Sequence, residues 1–119
     1  MAAETIKLMV DYGCYPLWWE TPDKAGDIDP ETLSLKPETI KRLEKWAAVF
    51  DSILNQDYPP DSDFASPEEA EAFEEEGISL WHQLRQELAP DYEVHYMSEK
   101  LGKLLTDPRE LEILVSQAS

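Results

Sequence analysis

Cys14, His82 and His95 are the side chains of this 119-residue sequence best suited to nucleophilic or general-base chemistry. A thiolate beside a histidine would attack an electrophilic carbon or phosphorus, and a histidine with a carboxylate would move protons. Neither pairing has a supporting neighbourhood. Cys14 lies in the aromatic run "VDYGCYPLWWE", His82 follows Trp81 in a stretch of helical apolar spacing, and His95 sits in the alternating "YEVHYM". Each histidine reads more simply as a hydrogen-bonded structural residue. Metal chemistry is no better served. There is no His/Cys zinc spacing, and "DYPPDSDF" lacks the glycine and terminal glutamate of a calcium loop. The four glycines are scattered, so no phosphate-cradling loop is expected. The expectation is a chain with no catalytic residues, no metal and no cofactor.

The carboxylates suggest binding instead. Ten Lys and Arg stand against 26 Asp and Glu, a formal net charge of −16. A chain so acidic repels phosphate backbones and anionic lipid, which argues against a nucleic-acid or membrane partner. The charge is also lopsided. No Lys or Arg occurs between Lys45 and Arg85, while Asp51, Asp57, Asp61, Asp63, Glu68, Glu69, Glu71, Glu74, Glu75 and Glu76 all do. Acids in a first helical turn suit the positive end of the helix dipole, which accounts for Glu68, Glu69 and Glu71. Glu74, Glu75 and Glu76 lie beyond that reach. Two readings follow, a solvated face that keeps the chain soluble or a surface that docks a basic protein. On the second, the partner-binding residues are Asp57, Asp61, Asp63, Glu71, Glu74, Glu75 and Glu76. Trp19, Tyr58 and Phe64 would be the aromatic anchors, since interfaces concentrate energy in a few such side chains.

The elements that position these residues can be read from periodicity. "TIKLMVDY", residues 5–12, alternates Ile6, Leu8, Val10 and Tyr12 against Lys7, Met9 and Asp11, which predicts a strand. Gly13 and Pro16 end it, and the aromatic segment follows as a loop. There Trp18 and Trp19, being adjacent, diverge, so one of them should be partly exposed. Residues 21–36 are a connection without long regular structure. A first helix is expected from Pro37 to about Asn55, with Ile40, Leu43, Trp46, Ala47, Phe50, Ile53 and Leu54 along one stripe. "SPEE" predicts a capping box, with Ser66 as N-cap and Glu69 as its partner, opening a second helix that ends at Pro90. Its stripe contains Gly77, which close approach of another backbone would explain. Residues 92–97 alternate as a second strand. Two short helical pieces should follow, one after Ser98 with Leu101, Leu104 and Leu105 inward, the other from "DPRE" with Leu111, Leu114 and Val115 inward.

The predicted fold class is α+β: a small, helix-dominated single domain over residues 1–119, two long helices packed on a short two-stranded sheet, its pairing parallel or antiparallel. A lone cysteine allows no internal disulfide and suits a reducing compartment. No signal-peptide core or stretch of apolar residues long enough to span a bilayer is present, so the expected location is cytoplasmic.

The segments "KLMVDYGCYPLWW", "GDIDPETLSL", "KWAAVFDSILN", "FASPEEAEAFEEEG" and "DYEVHY" occur in an order that resembles a group of small acidic bacterial proteins, over roughly residues 6–98. By size, charge and compartment the chain also resembles the immunity proteins of contact-dependent growth inhibition and related polymorphic toxin systems. That resemblance implies a cytoplasmic, non-enzymatic protein that binds one cognate toxin domain with a basic surface, commonly a nuclease, and blocks it. It transfers no functional residue. The alternatives are an interaction or regulatory domain for some other basic protein, and a small enzyme working near Cys14.

Overall fold

The computed structural model describes residues 4–11, 13–53, 66–98 and 101–109. Five strands form one mixed sheet: β1 (Glu4–Leu8), β2 (Leu17–Trp19), β3 (Asp27–Ile28), β4 (Tyr92–Ser98) and β5 (Lys103–Leu105), in the order β3-β2-β1-β4-β5. Helices α1 (Pro37–Ser52) and α2 (Pro67–Leu88) lie between β3 and β4 in the chain, and a 3₁₀ turn at Pro30–Thr32 precedes α1. β1 and β4 pair in parallel, with Ile6 opposite Val94 and Leu8 opposite Tyr96. A parallel pair needs a long crossover, which the two helices supply. The other pairings are antiparallel.

The alternation read from residues 5–12 puts Ile6, Leu8 and Val10 in the core. The register brings Leu17, Ile28, Val94, Tyr96 and Leu105 to the same face, where both helices cover them. Trp81 of α2 and Trp46 of α1 both pack against the Tyr96 ring, at centroid distances of 5.5 and 6.4 Å. Both indole N–H groups are satisfied: Trp46 Nε1 donates to the Phe73 carbonyl at 3.0 Å and Trp81 Nε1 to that of Val94 at 2.7 Å. Lys7, Trp18, His95 and Met97 point to the opposite face and are half-buried.

Three expectations are corrected. The sheet has five strands, not two. Leu17–Trp19 is a strand and not a loop, and Asp27–Ile28 extends it. The helical piece expected after Ser98 is instead strand β5, with Leu105 buried opposite Tyr96. These strands are two or three residues long, too short for a period of two to show, and it is pairing to a neighbour that makes them strands. Leu54, Asn55 and the expected helix with Leu111, Leu114 and Val115 lie outside the described residues.

The two helices start differently. Ser66 caps α2, its Oγ accepting from the Glu69 N–H at 3.2 Å. Lys36 stands at the N-cap of α1 and makes no side-chain capping bond. A helix start leaves backbone donors unpaired, and Ser, Thr, Asp or Asn would ordinarily meet one of them. Here Glu87, near the end of α2, does so from a distance. Its carboxylate accepts from the Lys36 N–H at 2.7 Å, from the Thr39 hydroxyl, and from Gln83 Nε2 at 2.7 Å. Partial burial works to raise the Glu87 carboxyl, but these hydrogen bonds outweigh it and hold the group below the usual carboxylate value. Glu87→Ala should therefore cost about 2 kcal/mol, the sum of a lost cap and lost bonds to a charged acceptor. A group with a depressed folded pKa stabilises above its unfolded pKa and loses that contribution as pH falls through the folded one. In urea titrations the gap between wild type and Glu87→Ala should be full near neutrality and close in acid.

Candidate functional site

Charge on α2 sorts by helical angle. Glu68, Glu71 and Glu75 recur at intervals of three and four, are exposed, and line a shallow depression of about 410 Å³ with Pro67 and Ala72. Glu69 is exposed on the neighbouring strip. Glu76 turns towards α1, where Arg42 grips it in a two-pronged pair: Nη2 to Oε1 at 2.8 Å and Nε to Oε2 at 3.2 Å. Glu74 leaves the surface altogether. It is 8% exposed, and its carboxyl accepts from the Tyr96 and Ser98 hydroxyls, the latter at 2.6 Å. The four glutamates expected on one acidic face, Glu71, Glu74, Glu75 and Glu76, are thus divided by the helix. Glu71 and Glu75 face solvent together, joined by Glu68, while Glu74 is a core residue. The signal for this was in the stripe, because Glu74 precedes Gly77 by three and Trp81 by seven, the spacing of one helix face.

Trp19 is half-buried on the helix side of the sheet. Its ring lies 6.4 Å from that of Tyr92, and Lys24 Nζ sits 4.3 Å above it while pairing with Glu4 at 2.8 Å. Tyr92 and Tyr96 are four positions apart on β4, about 13 Å of strand. Since Glu74 reaches Tyr96 and Ser98, Trp19 and the exposed carboxylates of α2 lie towards opposite ends of that helix. Trp18 points to the other face and donates Nε1–H to the Met9 carbonyl at 3.0 Å. Asp57, Tyr58, Asp61, Asp63 and Phe64 lie outside the described residues.

Sequence reasoning passed over Tyr15, which at 46% is the most exposed of the described aromatics in the "YGCYPLWW" run. Gly13, at φ +73°, and Pro16 turn the chain there, and that turn chemistry was the available signal. Carboxylates hold the turn: Gly13 N–H donates to Asp51 Oδ1 at 3.1 Å, Tyr15 N–H to Asp27 Oδ2 at 2.9 Å, and the phenol to Asp29 Oδ2 at 3.4 Å. The Asp29 charge, more than partial burial, pushes the Tyr15 phenol up. Partial burial, followed by Asp11, Asp27 and Asp51, pushes the Cys14 thiol up as well. That is the wrong direction for a nucleophile, which works as the thiolate. His95 is bracketed by carboxylates, with Nδ1 at 2.6 Å from Glu20 Oε2 and Nε2 at 3.4 Å from Glu93 Oε2. His82 is exposed beside Trp81. Among the described residues no three metal-ligating side chains cluster, and no helix is long and apolar enough to cross a membrane.

The arrangement can make contacts, and the outer strip of α2 offers the exposed carboxylates of Glu68, Glu71 and Glu75. No curated protein matches the chain. Residues 4–99 match the model of a family described as Serratia CdiI immunity protein-like, a span that runs from the first residue of β1 to just past β4 and takes in both helices. The chain therefore belongs to the Serratia CdiI immunity protein-like family of contact-dependent growth inhibition systems, whose partner is a cognate toxin.

Proposed function

We propose that the chain neutralises its cognate toxin by laying the acidic strip of α2 over a basic surface, and that the toxin is a nuclease. The observation that carries this is the row of Glu68, Glu71 and Glu75, exposed along one side of a helix in a stretch without Lys or Arg from residue 46 to 84. A nuclease must present Lys and Arg where phosphates bind, so an acidic protein can occupy that surface and speed its own arrival there. On this reading Asp57, Asp61 and Asp63 extend the charge through the connection into α2. Tyr58 and Phe64 would be aromatic anchors, and Trp19 is reached only by a partner that spans most of α2. The chain acts in the cytoplasm by occupation alone and performs no chemistry.

The test is kinetic. Glu68→Lys, Glu71→Lys and Glu75→Lys together should slow association with the purified cognate toxin domain by about tenfold at low ionic strength, and the difference should shrink as salt is raised. Glu74 is left out because it is buried, and Glu76 because it holds Arg42. An association rate that does not move would reject this surface. The acidic turn around Tyr15 is the rival place for docking, and Asp27→Asn with Tyr15→Ala would then carry the loss.

A further inference from the structure

An apolar groove of about 510 Å³ runs between α1 and α2 beside the acidic strip. Its floor is Trp46 and Phe73, whose rings stack at 4.7 Å. Its α1 lip is Val49, 42% exposed, with Ile53 half-buried at the end of the helix. Its α2 lip carries Glu69 and Glu76 on either side of Ala72. Ala72 also lines the depression formed by Glu68, Glu71 and Glu75, so groove and acidic strip meet at that one exposed methyl group.

We infer that this groove receives apolar side chains of the cognate toxin, presented on a segment whose flanking Lys or Arg residues lie over the α2 carboxylates. The inference rests on the proposed acidic docking and adds the place where the complex is held. Charge complementarity selects the occupant. An apolar group entering past Ala72 brings its neighbours over Glu68, Glu71 and Glu75 on one side and Glu69 on the other, which a cationic segment matches and an acidic second copy of this chain does not. Among the described residues lining the groove Lys45 is the one cation, and Arg42 of α1 already pairs with Glu76 at its edge. The division of labour follows: exposed carboxylates govern encounter, and a desolvated apolar pocket governs how long the complex lasts.

Val49→Asn and Ala72→Gln change the groove at two exposed positions without altering charge. Against the same purified cognate toxin domain, each should raise the dissociation rate at least tenfold and leave the association rate within about twofold, the reverse of what the α2 charge reversals do. Hydrogen–deuterium exchange on the wild-type complex, which needs no variant, should show new protection at 46–53 and 69–76. Unchanged dissociation in both variants with no added protection overturns the groove, and the acidic reading survives if the charge reversals still slow association. A wild-type chain that does not bind that toxin overturns both. Self-association of the chain alone, lost in Val49→Asn, assigns the groove to a second copy and overturns the inference.

Discussion

Gly77→Val is expected to cost about 4 kcal/mol of folding stability, and Gly77→Ala about 2. In an ordinary helix interior alanine would gain about 1 kcal/mol over glycine. Here a Cβ at position 77 would stand 2.5 Å from Tyr96 Oη and 2.8 Å from Trp46 Cζ2. Neither neighbour can yield cheaply. Tyr96 is 1% exposed with its hydroxyl bound to Glu74, and Trp46 is 3% exposed with its N–H bound to the Phe73 carbonyl. Overpacking of a closed core costs about 1–3 kcal/mol, and displacing Tyr96 adds the loss of a buried hydrogen bond. The contact is made by two side chains, where the sequence had suggested a backbone. Urea midpoints decide the matter, and an alanine variant as stable as wild type would show that the rings are free to shift.

Glu74→Ala should cost about 3 kcal/mol. The carboxyl is the acceptor for both Tyr96 and Ser98, so truncation leaves two buried hydroxyls without it and opens a void beneath α2. Ser98 is itself part of a chain of bonds, for its Oγ accepts from the Leu101 N–H at 3.0 Å where β4 turns into β5. Glu74 thereby ties the middle of α2 to β4, next to the edge strand β5. Glu74→Gln keeps one carbonyl acceptor and the side-chain volume, and should cost about 1 kcal/mol. The contrast between the two variants separates lost hydrogen bonding from lost charge. Equal costs for Ala and Gln would mean that charge, not acceptor capacity, is what the core uses. A Glu74→Ala variant with wild-type stability would place the side chain outside the core. Either substitution should leave toxin association far less affected than reversal of Glu68, Glu71 and Glu75.

These two positions show how a run of three glutamates carries three different roles. Glu74 faces inward, Glu75 faces water, and Glu76 pairs with Arg42 on the other helix. Composition alone treats them as one acidic cluster. The helical turn of 100° per residue distinguishes them, but only once the buried side of α2 is known. Aromatic content misled in a similar way. Trp18 and Trp19 diverge to opposite faces of the sheet as adjacent strand residues must, yet both are half-buried, and among the described residues Tyr15 at the turn is the ring left most exposed.

The sequence by itself determined the two helices, from Pro37 and from Ser66 with Pro67, along with the presence of strands near residues 5 and 92 and most of the apolar stripes among the described residues. It also determined the gross charge and its absence of compensation between Lys45 and Arg85. All of these are written in spacings of two, three and four residues, and in caps that act within one turn. Only the tertiary structure decided the parallel pairing of β1 with β4, the three short strands that widen the sheet, the capping of α1 by Glu87 from 51 residues away, and the Tyr96 and Ser98 hydroxyls that Glu74 meets in the core. The reason is physical. A two- or three-residue strand, an uncapped lysine or an inward glutamate is unfavourable taken alone, and is stabilised only by groups that the folded chain brings from elsewhere in the sequence.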